Sequence, residues 1–173
     1  MTATSEQDQR YQEAASAYGA ALERLARGYE AHPERRRDLV QDIHVALWRS
    51  CALFDRRCSL RTWTYRVAHN TATSYVLKQK RSGAGQWIDL DDDVPQAGPS
   101  PEDSAHESQA IVRLTALIQR LKPQDRQVIL LYLEDVDAAA IAEITGLKSA
   151  HVATKIHRVK ALLRDQFHQG ARP

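Results

Sequence analysis

Apolar residues along this chain recur mostly at intervals of three and four, the period of an α-helix, and no stretch alternates singly as a half-buried strand would. Residues 7–31 read as a first helix, weakened by Gly19 and Gly28, and Pro33 interrupts the chain. Residues 35–53 read as a second, with Leu39, Ile43 and Leu47 four apart on one face and Val40 beside them. Phe54 to Ser59 is a basic turn. Ser59 or Thr62 is placed to cap a third helix running to about Arg81, on which Trp63, Val67, Asn70 and Thr71 share a face.

The pattern then breaks. Ser82-Gly83-Ala84-Gly85, the acid run Asp89 to Asp93, and Pro95, Gly98, Pro99 and Pro101 forbid a continuous helix or strand. A structureless stretch of about 25 residues is long for a loop within one compact domain. The chain is therefore divided into a helical domain over 7–81, an acidic linker over 82–107 and a second helical domain over 108–168. The second domain is expected to start near Pro101-Glu102-Asp103-Ser104, with Ile111, Leu114, Leu117, Ile118 and Leu121 as its first apolar stripe. Pro123 suits a first helical turn, and Gln124 to Leu133 follows with Val128, Ile129 and Tyr132 inward. Asp137 caps a short helix through Thr145, Gly146 fits its left-handed end, and Ser149 caps a last helix to about Phe167. The fold class is all-α: two small helical domains joined by a flexible acidic linker.

Charge changes this picture by being segregated. Residues 1–81 carry 14 Lys and Arg against 9 Asp and Glu, residues 82–110 carry none against 7, and residues 111–173 carry 10 against 6. The blocks of +5, −7 and +4 sum to the net +2 of the chain, and two basic blocks around an acidic one suggest polyanion binding at both ends. Composition is otherwise ordinary: 43% apolar residues provide for a core. No apolar run approaches the roughly 20 residues of a membrane helix, and the N-terminus shows no secretory pattern. Two cysteines, Cys51 and Cys58, make no disulfide framework, so an intracellular, reduced protein is the expectation.

The sharpest local signal is Asp137 to Arg158. Ile141-Ala142, the turn Gly146-Leu147, and Val152 with Ile156 satisfy a helix-turn-helix: a small residue where the helices cross, a glycine where the backbone turns left-handed, and apolar residues joining the pair. The second helix would present Ser149, His151, Thr154, Lys155 and Arg158 outward, and Lys148 to Arg164 holds five basic residues and no acid. Such a helix enters the major groove with its early residues near base edges. The second signal is Phe54 to Arg81, where Arg56, Arg57, Arg61, Arg66, Lys78, Lys80 and Arg81 face a single acid, Asp55, with Trp63, Tyr65 and Tyr75 interleaved. Rings among cations suit single-stranded nucleic acid, although Trp63 at helical spacing from Val67 suits a core better than a stacking platform.

Leu39-Val40-Gln41-Asp42, then Leu47-Trp48, Phe54-Asp55 and Thr62 to Asn70, closely resemble the sigma-2 domain of bacterial sigma factors, in the small two-domain extracytoplasmic-function group. Leu121 to Val128, Ile141 to Leu147 and Val152 to Lys160 resemble sigma-4. The likeness covers about residues 10–81 and 108–167, in the family's order. It implies a factor that binds core RNA polymerase, directs it to promoters and helps open the duplex, with no cofactor and no catalytic residue of its own. By the resemblance, Asp38, Leu39, Gln41, Asp42 and Ile43 dock on core polymerase. Trp63, Tyr65, Arg66, His69 and Asn70, with Arg56, Arg57 and Arg61 toward phosphates, take the −10 element and its opened strand. Ser149, His151, Thr154 and Lys155 read the −35 duplex, and Arg158 and Lys160 hold its phosphates. The expected partners are core RNA polymerase and promoter DNA, duplex and single-stranded, without membrane insertion. An anti-sigma protein is a further family partner, though no residue identifies one. The linker is expected either to enter the polymerase channel as a nucleic-acid mimic or to serve as a charged spacer.

The chain departs from the family pattern at Ser74, Leu77, Thr145 and His151, where Asp, Arg, an apolar residue and Thr are usual. Two other readings stay open. One is a regulator using the helix-turn-helix alone on a palindromic duplex, without polymerase. The other is an enzyme or metalloprotein using Cys51, Cys58, His44 and His69. No paired metal-ligand spacing, nucleophile–base set or phosphate-cradling glycine loop supports the latter.

Overall fold

The computed structural model describes residues 3–83 and 106–169. Among these residues there are seven helices: α1 (Ala3–Tyr29), α2 (Pro33–Cys51), α3 (Leu60–Arg81), α4 (His106–Gln119), α5 (Pro123–Leu133), α6 (Ala138–Thr145) and α7 (Ser149–Gln169). Of the expected linker over 82–107, residues 84–105, with the expected helix start at Pro101 to Ser104, lie outside the described residues, and its last two residues begin α4.

Helices α1, α2 and α3 pack on one another through the apolar stripes of the sequence. Leu22, Leu39, Ile43, Leu47 and Ala72 are wholly buried between them. Pro33 does not interrupt α2 but begins it, because a first-turn residue has no helical partner for its missing N–H. Ser59 is the N-cap of α3, its hydroxyl accepting from Thr62 N at 3.0 Å. Arg10 joins α1 to the far end of α2 by donating to the Cys51 carbonyl at 3.3 Å.

The C-terminal helices form a second layer around Leu121, Leu131, Ile141, Val152 and Val159. Asp137 caps α6, its carboxylate accepting from Ala140 N at 2.9 Å, and Gly146 closes it at φ 74°. Arg113 ties α4 to α7, donating to the Phe167 carbonyl at 2.5 Å with its guanidinium over the Phe167 ring.

Three expectations are corrected here. Tyr132 lies outward, 39% exposed, because α5 buries Val128, Ile129, Leu130 and Leu131 instead. Ile111 is likewise exposed, while Leu117, Ile118 and Leu121 of the same stripe are buried. Ser149 is the first residue of α7 and not the one before it.

The two sets of helices are in contact, and one hydrophobic cluster runs through both. At Gly28 the backbone of α1 comes so near α5 that an added Cβ would lie 2.7 Å from the Leu130 methyls. Arg126 crosses the same seam. It is 2% exposed, lies over the Tyr29 ring at 5.3 Å, and donates to the carbonyls of Gln119 and Leu121, which ends α4. Burial pulls its guanidinium down to about 10.

Candidate nucleic-acid interface

The α6–turn–α7 unit has the geometry a helix-turn-helix requires. Ile141 and Val152 are buried at the crossing, with Ala142, Leu147 and Ile156 packed against the core beside them. The turn holds because Gly146 takes a conformation that would strain a residue bearing Cβ. On α7, Ser149, His151, Thr154, Arg158 and Lys160 are exposed. By the helical period, Thr154 stands near the middle of the exposed face, His151 and Arg158 on one flank, Ser149 and Lys160 on the other. Lys160 lies over the Tyr132 ring at 4.9 Å.

Lys155 is placed differently from the expectation. Its ammonium is bonded to the Asp125 carboxylate of α5, and the two side chains are only 22% and 3% exposed. A buried carboxylate needs a counter-charge, so Lys155 is held inward. His157 stands on the exposed face of α7 instead. It is exposed, three residues from Thr154 and beside Arg158. The same i, i+3 spacing in the sequence would have found it.

The second cluster lies on α3 and the turn before it. Arg56 and Arg57 are exposed, Arg56 with a positive φ of 62° and Arg57 N held by Asp55 at 3.1 Å. Asn70 is exposed. Trp63 is half-buried, its indole N–H donating to Ser50 Oγ at 3.0 Å and its ring 5.3 Å from Phe54. This rigid placement serves the core and leaves part of the ring outside.

Tyr65 and His69, expected in the same interface, are 2% and 1% exposed. Both lie beneath the C-terminal helices, along a cleft of about 250 Å³ lined by Arg24, Leu25, Ile111, Leu114, Leu133 and Glu134. His69 Nδ1 is 2.9 Å from the Tyr29 hydroxyl. Burial pushes the imidazole down to about 3 and raises the Tyr29 phenol. The Tyr65 phenol is also raised, chiefly by burial and then by the Glu134 charge.

The α2 residues divide by face. Leu39 and Ile43 are wholly buried against α1 and α3, so they hold the helix and cannot themselves meet a partner. Asp38, Gln41 and Asp42 are exposed. The same outward stripe continues through Val45, 47% exposed, with Trp48 at its flank. Trp48 is fixed by its N–H to Asp8 at 2.7 Å. Neither residue was among the sequence candidates, although helical spacing from Asp38 and Asp42 points to Val45.

Cys51 is buried at the end of α2, and burial raises both its thiol and that of Cys58. His44 Nδ1 is 3.0 Å from the Tyr11 hydroxyl. Among the described residues no group of three His, Cys, Asp or Glu is gathered for a metal, and no helix is long and apolar enough to cross a membrane.

Fold and site together define an all-α helix-turn-helix protein whose α6 packs beside a second basic, ring-bearing helix, α3. Comparison with known proteins names the group. Residues 14–82 match the family model of sigma-70 region 2, and residues 111–163 that of sigma-70 region 4. The chain belongs to the sigma-70 family, in its extracytoplasmic-function group.

Among similar proteins is the ECF RNA polymerase sigma factor SigE of Mycolicibacterium smegmatis, 27% identical over 82% of this chain and 55% of SigE. The chain thus spans about half of that relative. The RNA polymerase sigma factor YlaC of Bacillus subtilis is 27% identical over 77% of this chain and 78% of YlaC. SigW of Bacillus subtilis is 25% identical over 75% and 74% respectively. The solved structure of CnrH in complex with the cytosolic domain of CnrY shares the fold, with a TM-score of 0.64 at 21% identity over 96% of this chain and 92% of that one.

Proposed function

We propose that this protein acts in the bacterial cytoplasm as a sigma factor, docking on core RNA polymerase and directing it to promoters with a −10 and a −35 element. The observation that carries the reading is the presence, in order on one chain, of a region 2 segment and a region 4 segment. A regulator built on the helix-turn-helix alone has no need of the first.

The roles divide by unit. In α7, Thr154, His157, Ser149 and His151 face base edges, and Arg158 and Lys160 hold phosphates, which position without specifying. On α2, Asp38, Gln41, Asp42 and Val45 offer carboxylates around an apolar spot, complementary to a basic, partly apolar helical partner. On and before α3, Arg56, Arg57, Arg61 and Arg66 hold the phosphates of the opened strand, with Trp63 and Asn70 toward its bases, while the buried Tyr65 and His69 support α3 from within. Extruding a base costs a few kcal/mol. Stacking on a ring returns about 1–3 kcal/mol per base. Binding energy alone can therefore trap the bubble, and no hydrolysis by this chain is required.

The test is run-off transcription with core polymerase, the purified protein and fragmented genomic DNA of the source organism, with the RNA 5′ ends sequenced. Protein-dependent starts sharing two spaced upstream elements are expected. Their absence, together with a shift of a palindromic duplex by the protein alone, would transfer the reading to the regulator. Asp42→Ala is expected to weaken retention of the protein on immobilised core polymerase about tenfold while leaving its melting temperature unchanged. Full retention would remove the outward face of α2 from the docking surface.

A further inference from the structure

We propose that the duplex element read by α7 is defined by thymine methyl groups and a guanine edge beneath the helix, and not by base amino groups. The inference rests on the duplex-reading role assigned above to α7.

The middle of the exposed face is built from short side chains. By the helical period Ala150, Thr154 and His157 follow one another along it, with Ala153 beside them, and all four are exposed. Two alanines and a threonine let the helix come close to the floor of the major groove. They present methyl groups there, the partner chemistry of the thymine C5-methyl. The long cation of this stretch, Lys155, is turned away to Asp125. His157 is the extended polar side chain left on the middle line. Its N–H suits the N7 and O6 acceptors of guanine.

The groups missing from the face exclude the other two bases as its main contacts. Adenine is read by a carboxamide with two bonds, and the cytosine amino group by a carboxylate. Between Ser149 and Arg164 the sequence holds neither. The carboxylates flanking this stretch are already engaged. Asp137 accepts from Ala140 N at 2.9 Å, Glu143 from Arg66 at 2.8 Å, and Asp165 from Arg164 at 3.3 Å. The amide of Gln166 is out of reach, since that residue is 5% exposed. The hydroxyls of Ser149 and Thr154 serve any base and so do not discriminate.

The test is selection of binding duplexes from a randomised library, by the full chain alone and by the full chain on core polymerase. A shared block rich in thymine and containing a guanine is expected. Two base analogues then examine the selected duplex. Uracil in place of thymine removes only the methyl group and should weaken binding about fourfold per contacted position, the worth of one buried methyl. Thr154→Ser keeps the hydroxyl and removes the opposing methyl. It should cost a similar factor on the thymine duplex and little on the uracil one, because both changes delete the same contact. 7-Deazaguanine in place of guanine should weaken the wild type about fivefold, the scale of one hydrogen bond, and leave His157→Ala unaffected. His157→Asn supplies a carboxamide and should bring adenine into the block at the guanine's position.

A block without thymine would overturn the proposal, as would equal binding of the uracil or 7-deazaguanine duplex, or a wild-type requirement for adenine or cytosine alone. Failure of both arms to enrich any duplex would remove α7 as a reader and the proposal with it. Run-off transcription separates these outcomes from the sigma reading. Transcripts whose upstream element lacks thymine and guanine leave the sigma function standing and remove the proposal. Enrichment of the expected block by the chain alone, without transcripts, keeps the proposal and transfers the protein to the regulator reading.

Discussion

His69 shows how much one side chain's surroundings alter its chemistry. In the sequence it is one of seven histidines. In the fold it is wholly buried against the Tyr29 hydroxyl, and its pKa is pushed down to about 3. The unfolded chain therefore binds a proton that the folded chain refuses, between the ordinary value near 6.5 and about 3. Stability is full above that window and falls as pH drops through it, at up to about 1.4 kcal/mol per pH unit from this group. Urea unfolding between pH 7 and 4 should show the slope, and His69→Gln should flatten it. Lys155 presents the reverse case of a charge buried with its partner. Lys155→Ala leaves the Asp125 carboxylate, 3% exposed, without its cation, and is expected to cost about 2–3 kcal/mol in the urea midpoint. If stability is unchanged and only promoter use falls, Lys155 is a base reader after all.

Among the elements, α6 depends most on its ends. It has eight residues, too few to be stable alone, and is held by a cap at Asp137, a left-handed stop at Gly146 and the burial of Ile141 and Ile144. Asp137→Ala should cost about 1 kcal/mol. Gly146→Ala should cost about 1–2 kcal/mol, since it forces a Cβ into φ 74°. Thermal unfolding followed by circular dichroism would measure both, and unchanged melting in either would show that packing alone sets the turn. Both ends are legible in residue order because caps and left-handed stops are local chemistry. The faces of α5 and α7 are less so. Tyr132 fits an inward position by period and Lys155 an outward one, yet the structure reverses both. Period locates a residue around the helix axis without saying where the neighbouring helices stand.

For the molecule as a whole, the seam between the units is the decisive feature. Gly28 marks it, because only a residue without Cβ lets α1 approach Leu130 so closely. Leu130 can yield to one methyl by rotating, but not easily to an isopropyl group. Gly28→Val is therefore expected to destabilise the closed protein by about 1–3 kcal/mol and to enlarge its radius of gyration in X-ray scattering. An unchanged radius would mean that the seam accommodates the added volume. In the sequence Gly28 reads only as a weak point in a helix, since its partner lies about a hundred residues away.

Residue order by itself conveyed the helical class, a cap for α3 at Ser59 or Thr62, the α6 turn and the two regions of the sigma-70 family, because each rests on neighbours a few positions apart. Tertiary packing decided which members of those motifs are available. It buried Leu39 and Ile43 within the expected docking motif and turned Asp38, Gln41, Asp42 and Val45 outward. It also set Arg24, Arg61 and Tyr65 around Glu134. Exposure and ion pairing depend on which surfaces meet across the fold, and those meetings join residues that no local spacing relates.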